Sequence, residues 1–156
     1  MATVHLVCGF LGAGKTTFSC ALAGQCSGVR FSIDELYLRL FAGGPTFELD
    51  GAAMSRLLDA LNDLWPPIAA AGVHVVLDFG FWNRDLRDEV RQRASSVGVA
   101  TRLHWLQCPD EVAVARCLRR NGTAGAFLIS EDGYWALKPS FQPPTLDEAA
   151  EHVDSS

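Results

Sequence analysis

At 156 residues with 49 % hydrophobic content, the chain has the size of one domain and enough apolar material for a single core. Its net charge of −5 gives no global attraction to long nucleic acid or an anionic membrane, so any anion site has to be built locally. Five cysteines, an odd number without a C-x-x-C pair, suit reduced thiols better than a disulfide or zinc framework. With no signal-peptide pattern and no apolar run near ~18 residues, the expectation is a soluble cytoplasmic protein without a membrane partner.

The first apolar run, Val4 to Cys8, reads as a buried strand and leads into Gly9-Phe10-Leu11-Gly12-Ala13-Gly14-Lys15-Thr16, a match to G-x-x-x-x-G-K-[ST]. This is the phosphate-loop pattern and predicts a nucleoside triphosphate site. Gly9, Gly12, Ala13 and Gly14 let backbone N–H groups converge on a phosphate chain, Lys15 adds a mobile positive charge, and Thr16 offers a hydroxyl to Mg²⁺. Thr17 continues the first turn of a helix whose dipole faces the phosphates. That helix runs from Lys15 to about Ala23, and Ser27-Gly28 interrupts the pattern.

The second strand, Val29 to Ile33, ends at Asp34, where an α/β crevice is expected. Asp34 has two compatible readings: N-cap of a short helix from Glu35 to Phe41, or the base that orients an acceptor hydroxyl and takes its proton. A loop from Gly43 to Asp50 precedes a long helical stretch reaching Gly72, with a kink expected at Pro66-Pro67. The strand Val73 to Asp78 ends in a carboxylate suited to Mg²⁺ or its waters, with a substrate-binding or structural role as the alternative. Phe79, Phe81 and Trp82 follow, as the wall of an acceptor pocket or as core packing.

Asn83 caps a charged helix through Val97, in which Arg84 contacts substrate or joins a surface network with Asp85, Arg87 and Asp88. After the strand Thr101 to Gln107, Pro109-Asp110 starts a helix expected to turn Ala113, Val114 and Leu118 to the core. Arg116, Arg119 and Arg120 lie at i, i+3 and i+4 on it. Arg116 and Arg120 are favoured for steadying the transferring phosphoryl group, and Arg119 for the nucleotide phosphates. Beyond Asn121 the pattern weakens into a lid over about 121–140, with Ser130 starting a short helix, and no fifth strand is evident. His5, His74 and His104 each stand four residues before Gly9, Asp78 and Cys108, which suggests one level across neighbouring strands. They are read as core or edge histidines, since no Cys or Glu clearly completes a ligand set.

The alternation of strand and helix, with right-handed crossovers, predicts an α/β P-loop NTPase fold: three α/β/α layers around an open parallel sheet of four to five strands, in one domain over 1–156. The strand and phosphate loop, Ser32-x-Asp34-Glu35-Leu36, Val75 to Trp82 and Arg116 to Asn121 together resemble the small P-loop kinases related to chloramphenicol phosphotransferase, zeta toxins and the kinase domain of polynucleotide kinases. This resemblance implies Asp34 as the acceptor-hydroxyl base, phosphate contacts from the Arg116–Arg120 region, and a place near adenine for Phe141-Gln142-Pro143-Pro144. The octapeptide also resembles the loop of cobalamin-synthesis-type metal-chaperone GTPases, but their C-x-C-C and N-K-x-D motifs are missing.

The leading expectation is therefore an ATP- and Mg²⁺-dependent kinase acting on a hydroxyl of a small molecule such as an antibiotic, nucleoside or metabolite. The alternatives are a polynucleotide 5′-hydroxyl kinase, disfavoured by the acidic charge, and a regulatory NTPase without a phosphate acceptor.

Overall fold

The computed structural model describes residues 1–41, 49–123 and 126–156. The loop expected from Gly43 lies mostly outside these residues, as do Ala124 and Gly125 of the proposed lid. Five strands, β1 (Thr3–Cys8), β2 (Val29–Ser32), β3 (Val75–Gly80), β4 (Ala100–Gln107) and β5 (Glu151–Asp154), form one sheet in the order β2-β3-β1-β4-β5. Every neighbouring pair is parallel, with Leu6 opposite Leu77 on one side and Leu103 on the other. Among the described residues six α-helices accompany them: α1 (Lys15–Cys26), α2 (Ile33–Phe41), α3 (Gly51–Ala70), α4 (Arg84–Ser96), α5 (Asp110–Arg120) and α6 (Glu131–Leu137).

The near-continuous apolar runs of β1 and β3 follow from burial on both faces. Val4, Leu6, Val75, Leu77 and Leu103 pack with Leu61, Trp65 and Ala69 of α3 and Val90 and Ala94 of α4. Val7, Val76 and Leu106 face Phe18, Leu22 and Ala23 of α1. Local signals set the helix boundaries. Asp50 accepts from the Ala52 and Ala53 N–H groups, Asn83 from Leu86, and Ser130 from Gly133. Pro66 and Pro67 lie inside α3, which continues through them to Ala70.

Two expectations need correction. A fifth strand exists: β5 is a short edge strand whose residues alternate between half-buried and exposed, and its Glu-His-Val-Asp sequence carries almost no apolar signal. On α5, Leu118 is 42 % exposed while Cys117 is buried, because Ala113, Val114 and Cys117 share the inward face and Leu118 is rotated away from it. No helix among the described residues is long and apolar enough to cross a membrane.

An ion pair ties residues 141–148 to α4. Arg87, 1 % exposed, donates to both Glu148 carboxylate oxygens at 2.7 and 2.8 Å and to the carbonyls of Phe81 and Gln142, each at 2.9 Å. Burial works to raise the Glu148 pKa, but the bonds from Arg87, the Thr145 N–H and Arg91 prevail and hold it at about 2, below its ordinary 4.5. A carboxyl shifted downward stabilises the fold fully above pH 4.5 and loses that contribution as pH falls toward 2. Glu148→Gln should flatten the stability profile over this range and cost about 3–5 kcal/mol at neutral pH by leaving Arg87 unpaired, as read by urea unfolding at a series of pH values.

Candidate active site

The phosphate loop leaves β1 at Cys8 and closes on itself, with Gly9 N–H donating to the Gly80 carbonyl at 3.2 Å and Ala13 N–H to the Phe10 carbonyl at 3.3 Å. Gly12 has φ +71°, and a Cβ there would lie 2.3 Å from the Ala113 carbonyl oxygen, so only glycine lets the loop press against α5. Gly14, at φ +84°, turns the chain into α1. The first turn presents Lys15, partly exposed, and then Thr16 and Thr17, both exposed. Lys15 Nζ donates back to the Phe10 carbonyl at 2.8 Å. Withdrawal from water lowers the Lys15 pKa, against the opposing pull of the Asp78 and Asp34 carboxylates, while Arg120 adds to the lowering.

Beneath the loop, Asp78 is 5 % exposed, and its Oδ2 accepts from Arg30 at 2.7 Å and Ser19 at 2.9 Å. Arg30 also makes a two-pronged bond to Glu35 at 2.9 and 3.0 Å and donates to Ser19 at 2.7 Å. Sequence reasoning missed both Arg30 and Ser19. The available signal was an arginine within the second strand, where burial requires a carboxylate partner.

Asp34 occupies the first turn of α2 and does not cap it; the Ser32 hydroxyl accepts from the Glu35 N–H at 3.4 Å instead. Its side chain keeps an open face to solvent but stands among Lys15, Asp78, Arg120 and Glu35. Desolvation in the cleft raises its pKa; Lys15 and Arg120 pull it down, and Asp78 and Glu35 push it up. The structure thus brings Lys15, Asp34, Asp78 and Arg120 into one electrostatic neighbourhood. Arg116 donates to the Gly12 carbonyl over a long 3.5 Å, and Arg119 is exposed on α5.

Other candidates sit elsewhere. Phe81 is fully buried against Phe79 and is a core residue rather than a pocket wall. Trp82, half-buried, packs on Phe10 with ring centroids 4.9 Å apart and lies over Gly80, where a Cβ would come 3.2 Å from the indole nitrogen. Arg84 spends its guanidinium on Asp88, Asp147 and Thr145, which makes it part of a surface network rather than a substrate contact. Within the proposed lid, α6 is firmly packed. Tyr134, 1 % exposed, donates to Asp110 at 2.6 Å and meets Phe10 edge-on at 4.9 Å, while Lys138 pairs with the same carboxylate. Asn121 exchanges hydrogen bonds with both backbone groups of Ile129.

A cavity of about 200 Å³ opens beside the loop, lined in part by Phe10, Trp105, Cys108, Tyr134, Phe141 and Pro143. The adjoining edge is closed by Ser155, whose hydroxyl donates to the Ala13 carbonyl at 2.7 Å. Removing the cation at the loop's floor should be far more damaging than removing its outer partner. Arg30→Met strands the buried Asp78 carboxylate and should cost about 3–5 kcal/mol in chemical denaturation, whereas Glu35→Ala, at a 43 % exposed side chain, should cost about 1 kcal/mol or less.

Solved structures share this architecture. A presumptive kinase of Chloroflexus aurantiacus superposes with a TM-score of 0.79 at 19 % identity, over 99 % of this chain and 89 % of that one. Kti12 of Chaetomium thermophilum, in complex with ADP-AlF3, gives 0.74 at 14 % identity over 97 % and 89 %. A gluconokinase of Sinorhizobium meliloti gives 0.69 at 20 % over 98 % and 82 %. At these identities the likeness is one of fold. No curated protein sequence gives a significant match. Among family profiles, AAA_33, described as an AAA domain, matches residues 4–144, and with the phosphate loop at its head the chain belongs to this family.

Proposed function

We propose that the chain is an ATP- and Mg²⁺-dependent kinase that phosphorylates a hydroxyl group of a small molecule. The observation that carries this reading is the position of Asp34: a carboxylate at the end of β2, relieved of capping duty by Ser32 and facing the Lys15 and Arg120 charges of the phosphate-loop cleft. A switch protein needs the loop but has no use for such a carboxylate. The gluconokinase among the structures of similar fold supports a small hydroxylated acceptor.

The residues present fit the nucleotide. Gly12 and Gly14 shape a loop that a Cβ at position 12 would destroy, and α1 begins at its end. When bound, ATP supplies the γ-phosphoryl group and Mg²⁺ neutralises charge on its phosphates. Lys15, now bonded to the Phe10 carbonyl, would turn to the phosphate oxygens, and the exposed Thr16 hydroxyl would help hold the metal. Asp78, with Oδ2 committed to Arg30 and Ser19, would use Oδ1 to help hold the metal. The aromatic cavity beside the loop takes the adenine, in keeping with the resemblance of the Phe141-to-Pro144 segment.

Asp34 binds the acceptor hydroxyl, orients it and receives its proton, and the raised pKa makes it a better base than an ordinary carboxylate. Arg120, whose charge reaches Lys15 and Asp34, would place positive charge where negative charge shifts during transfer, with Arg116, held at the Gly12 carbonyl, and Arg119 as further candidates for the nucleotide phosphates.

Transfer from γ-labelled ATP, screened over hydroxylated metabolites, nucleosides, antibiotics and an oligonucleotide, tests the reading. Asp34→Asn should lower transfer roughly 10²–10⁴-fold with nucleotide affinity retained. Lys15→Ala should abolish turnover and weaken nucleotide binding. Full transfer by Asp34→Asn, or ADP and inorganic phosphate as the sole products with every acceptor, overturns it.

A pH dependence follows from the same residue. Asp34 acts only when ionised, so kcat/KM should climb with pH through its raised pKa, with an acid limb above the ordinary value of 3.8 that is absent from the residual activity of Asp34→Asn.

A further inference from the structure

At the end of the sheet away from the phosphate loop, three side chains from separate elements converge. His5 is the third residue of β1, Cys26 the last of α1, and His74 directly precedes β3. The Val4–Val75 register of the parallel pair brings His74 alongside Thr3, whose N–H donates to His74 Nδ1 at 3.2 Å. His5, Cys26 and His74 each offer one ligand atom, and these atoms lie within 4.8 Å of one another. Gly28 makes the approach possible, since a Cβ there would stand 2.9 Å from Cys26 Sγ and 2.8 Å from the His74 carbonyl.

An independent observation points to a ligand. His5 is 4 % exposed, and its Nε2 is buried without a hydrogen-bond partner among the described residues. The other ring nitrogen explains which form is present. The Glu151 carboxylate stands 3.3 Å from His104 Nδ1 and favours the proton on that nitrogen, which leaves His104 Nε2 to accept from His5 Nδ1–H at 3.0 Å. The His5 proton is thereby held on Nδ1, and Nε2 presents a bare lone pair. Because the two imidazole nitrogens face diverging directions, Nδ1 toward His104 of β4 leaves Nε2 directed to the β3 side, where His74 and Cys26 stand. Burial, assisted by the neighbouring His104, His74 and Arg102, lowers the His5 pKa to about 4 and keeps the ring neutral. A neutral histidine whose far nitrogen is hydrogen-bonded to a second imidazole, with a carboxylate beside that imidazole, approaches the arrangement of metal-ligating histidines.

We propose that His5, Cys26 and His74 form a site for one borderline-soft divalent cation, Zn²⁺ being the best fit to two imidazoles and a thiolate, with water in the fourth position. Binding releases the Cys26 thiol proton to solvent. At His74 the ring proton moves from Nε2 to Nδ1 and the Thr3 bond is given up. The complex carries one net positive charge, which Glu151 offsets through the histidine relay. Since α1 is about 18 Å long, the cation sits well away from the phosphate loop and acts by fastening the far end of the helix that begins at Lys15.

The test is titration of the metal-free full chain with Co²⁺, then Zn²⁺, in the absence of nucleotide and Mg²⁺. One equivalent of Co²⁺ should give thiolate-to-metal charge-transfer absorption, displaced by Zn²⁺, and Zn²⁺ should raise the thermal midpoint. Cys26→Ser should lose both responses while melting like the unaltered chain in chelator; Cys20→Ser and Cys108→Ser should keep both. His74→Gln should also lose the band, and Glu151→Gln, which breaks the relay without touching a ligand, should weaken binding roughly 10–100-fold. Absence of the band at one equivalent, its survival in Cys26→Ser, or its loss in Cys108→Ser overturns the proposal.

Discussion

Burying the Asp78 carboxylate in β3 obliges α1 and β2 to supply a donor and a positive charge. An ionised carboxylate at 5 % exposure is tolerable only when paired and hydrogen-bonded, and here the donors come from α1 through Ser19 and from β2 through Arg30. Arg30 in turn recruits Glu35, which fixes the first turn of α2 and so the direction in which Asp34 leaves the sheet. The floor of the phosphate loop and the placement of the candidate base therefore share one charge network. The Asp78 charge pushes the pKa of both Lys15 and Asp34 upward, favouring the charged amine and the neutral carboxyl.

The other side of the loop is held by shape instead of charge. Gly12 has no Cβ and meets the Ala113 backbone, and Phe10 is packed by Trp82, Tyr134 and Phe141 at ring separations of 4.9, 4.9 and 5.7 Å. This aromatic group makes the second half of the proposed lid a fixed wall. Asp110 at the start of α5 holds both Tyr134 and Lys138, so the segment is anchored at two points of one helix turn.

Much of this was legible because it is local. The phosphate loop, the buried strands β1 and β3, and the caps at Asn83 and Ser130 are decided by residues within a few positions of each other. What escaped depends on partners far along the chain. Nothing near Arg84 reveals that Asp147 will meet it, and nothing near Arg30 reveals Asp78. Asp34 looked like a cap since its spacing is right for one, but the helix begins at Ile33, two residues before the expected Glu35, and Ser32 takes the role. The aromatic run after Asp78 was ambiguous for a different reason: the chain turns past the end of β3, with positive φ at Gly80 and Phe81, and that turn sends Phe81 to the core and Trp82 to the loop. The level histidines were visible, but Cys26 joins them only once α1 runs past Ala23 to the foot of the sheet.

The bond from the Ser155 hydroxyl to the Ala13 carbonyl spans 142 positions. A ribosome adding ~5–20 residues per second takes on the order of ten seconds to cover that distance. During that interval the phosphate loop has emerged, yet β5 and the hydroxyl that closes its open edge do not exist. Loop closure over so long a span also delays folding more than it alters final stability. The loop is thus synthesised well before the strand that completes it, which leaves nascent chains without a finished phosphate cradle until residues 151–155 have joined the sheet.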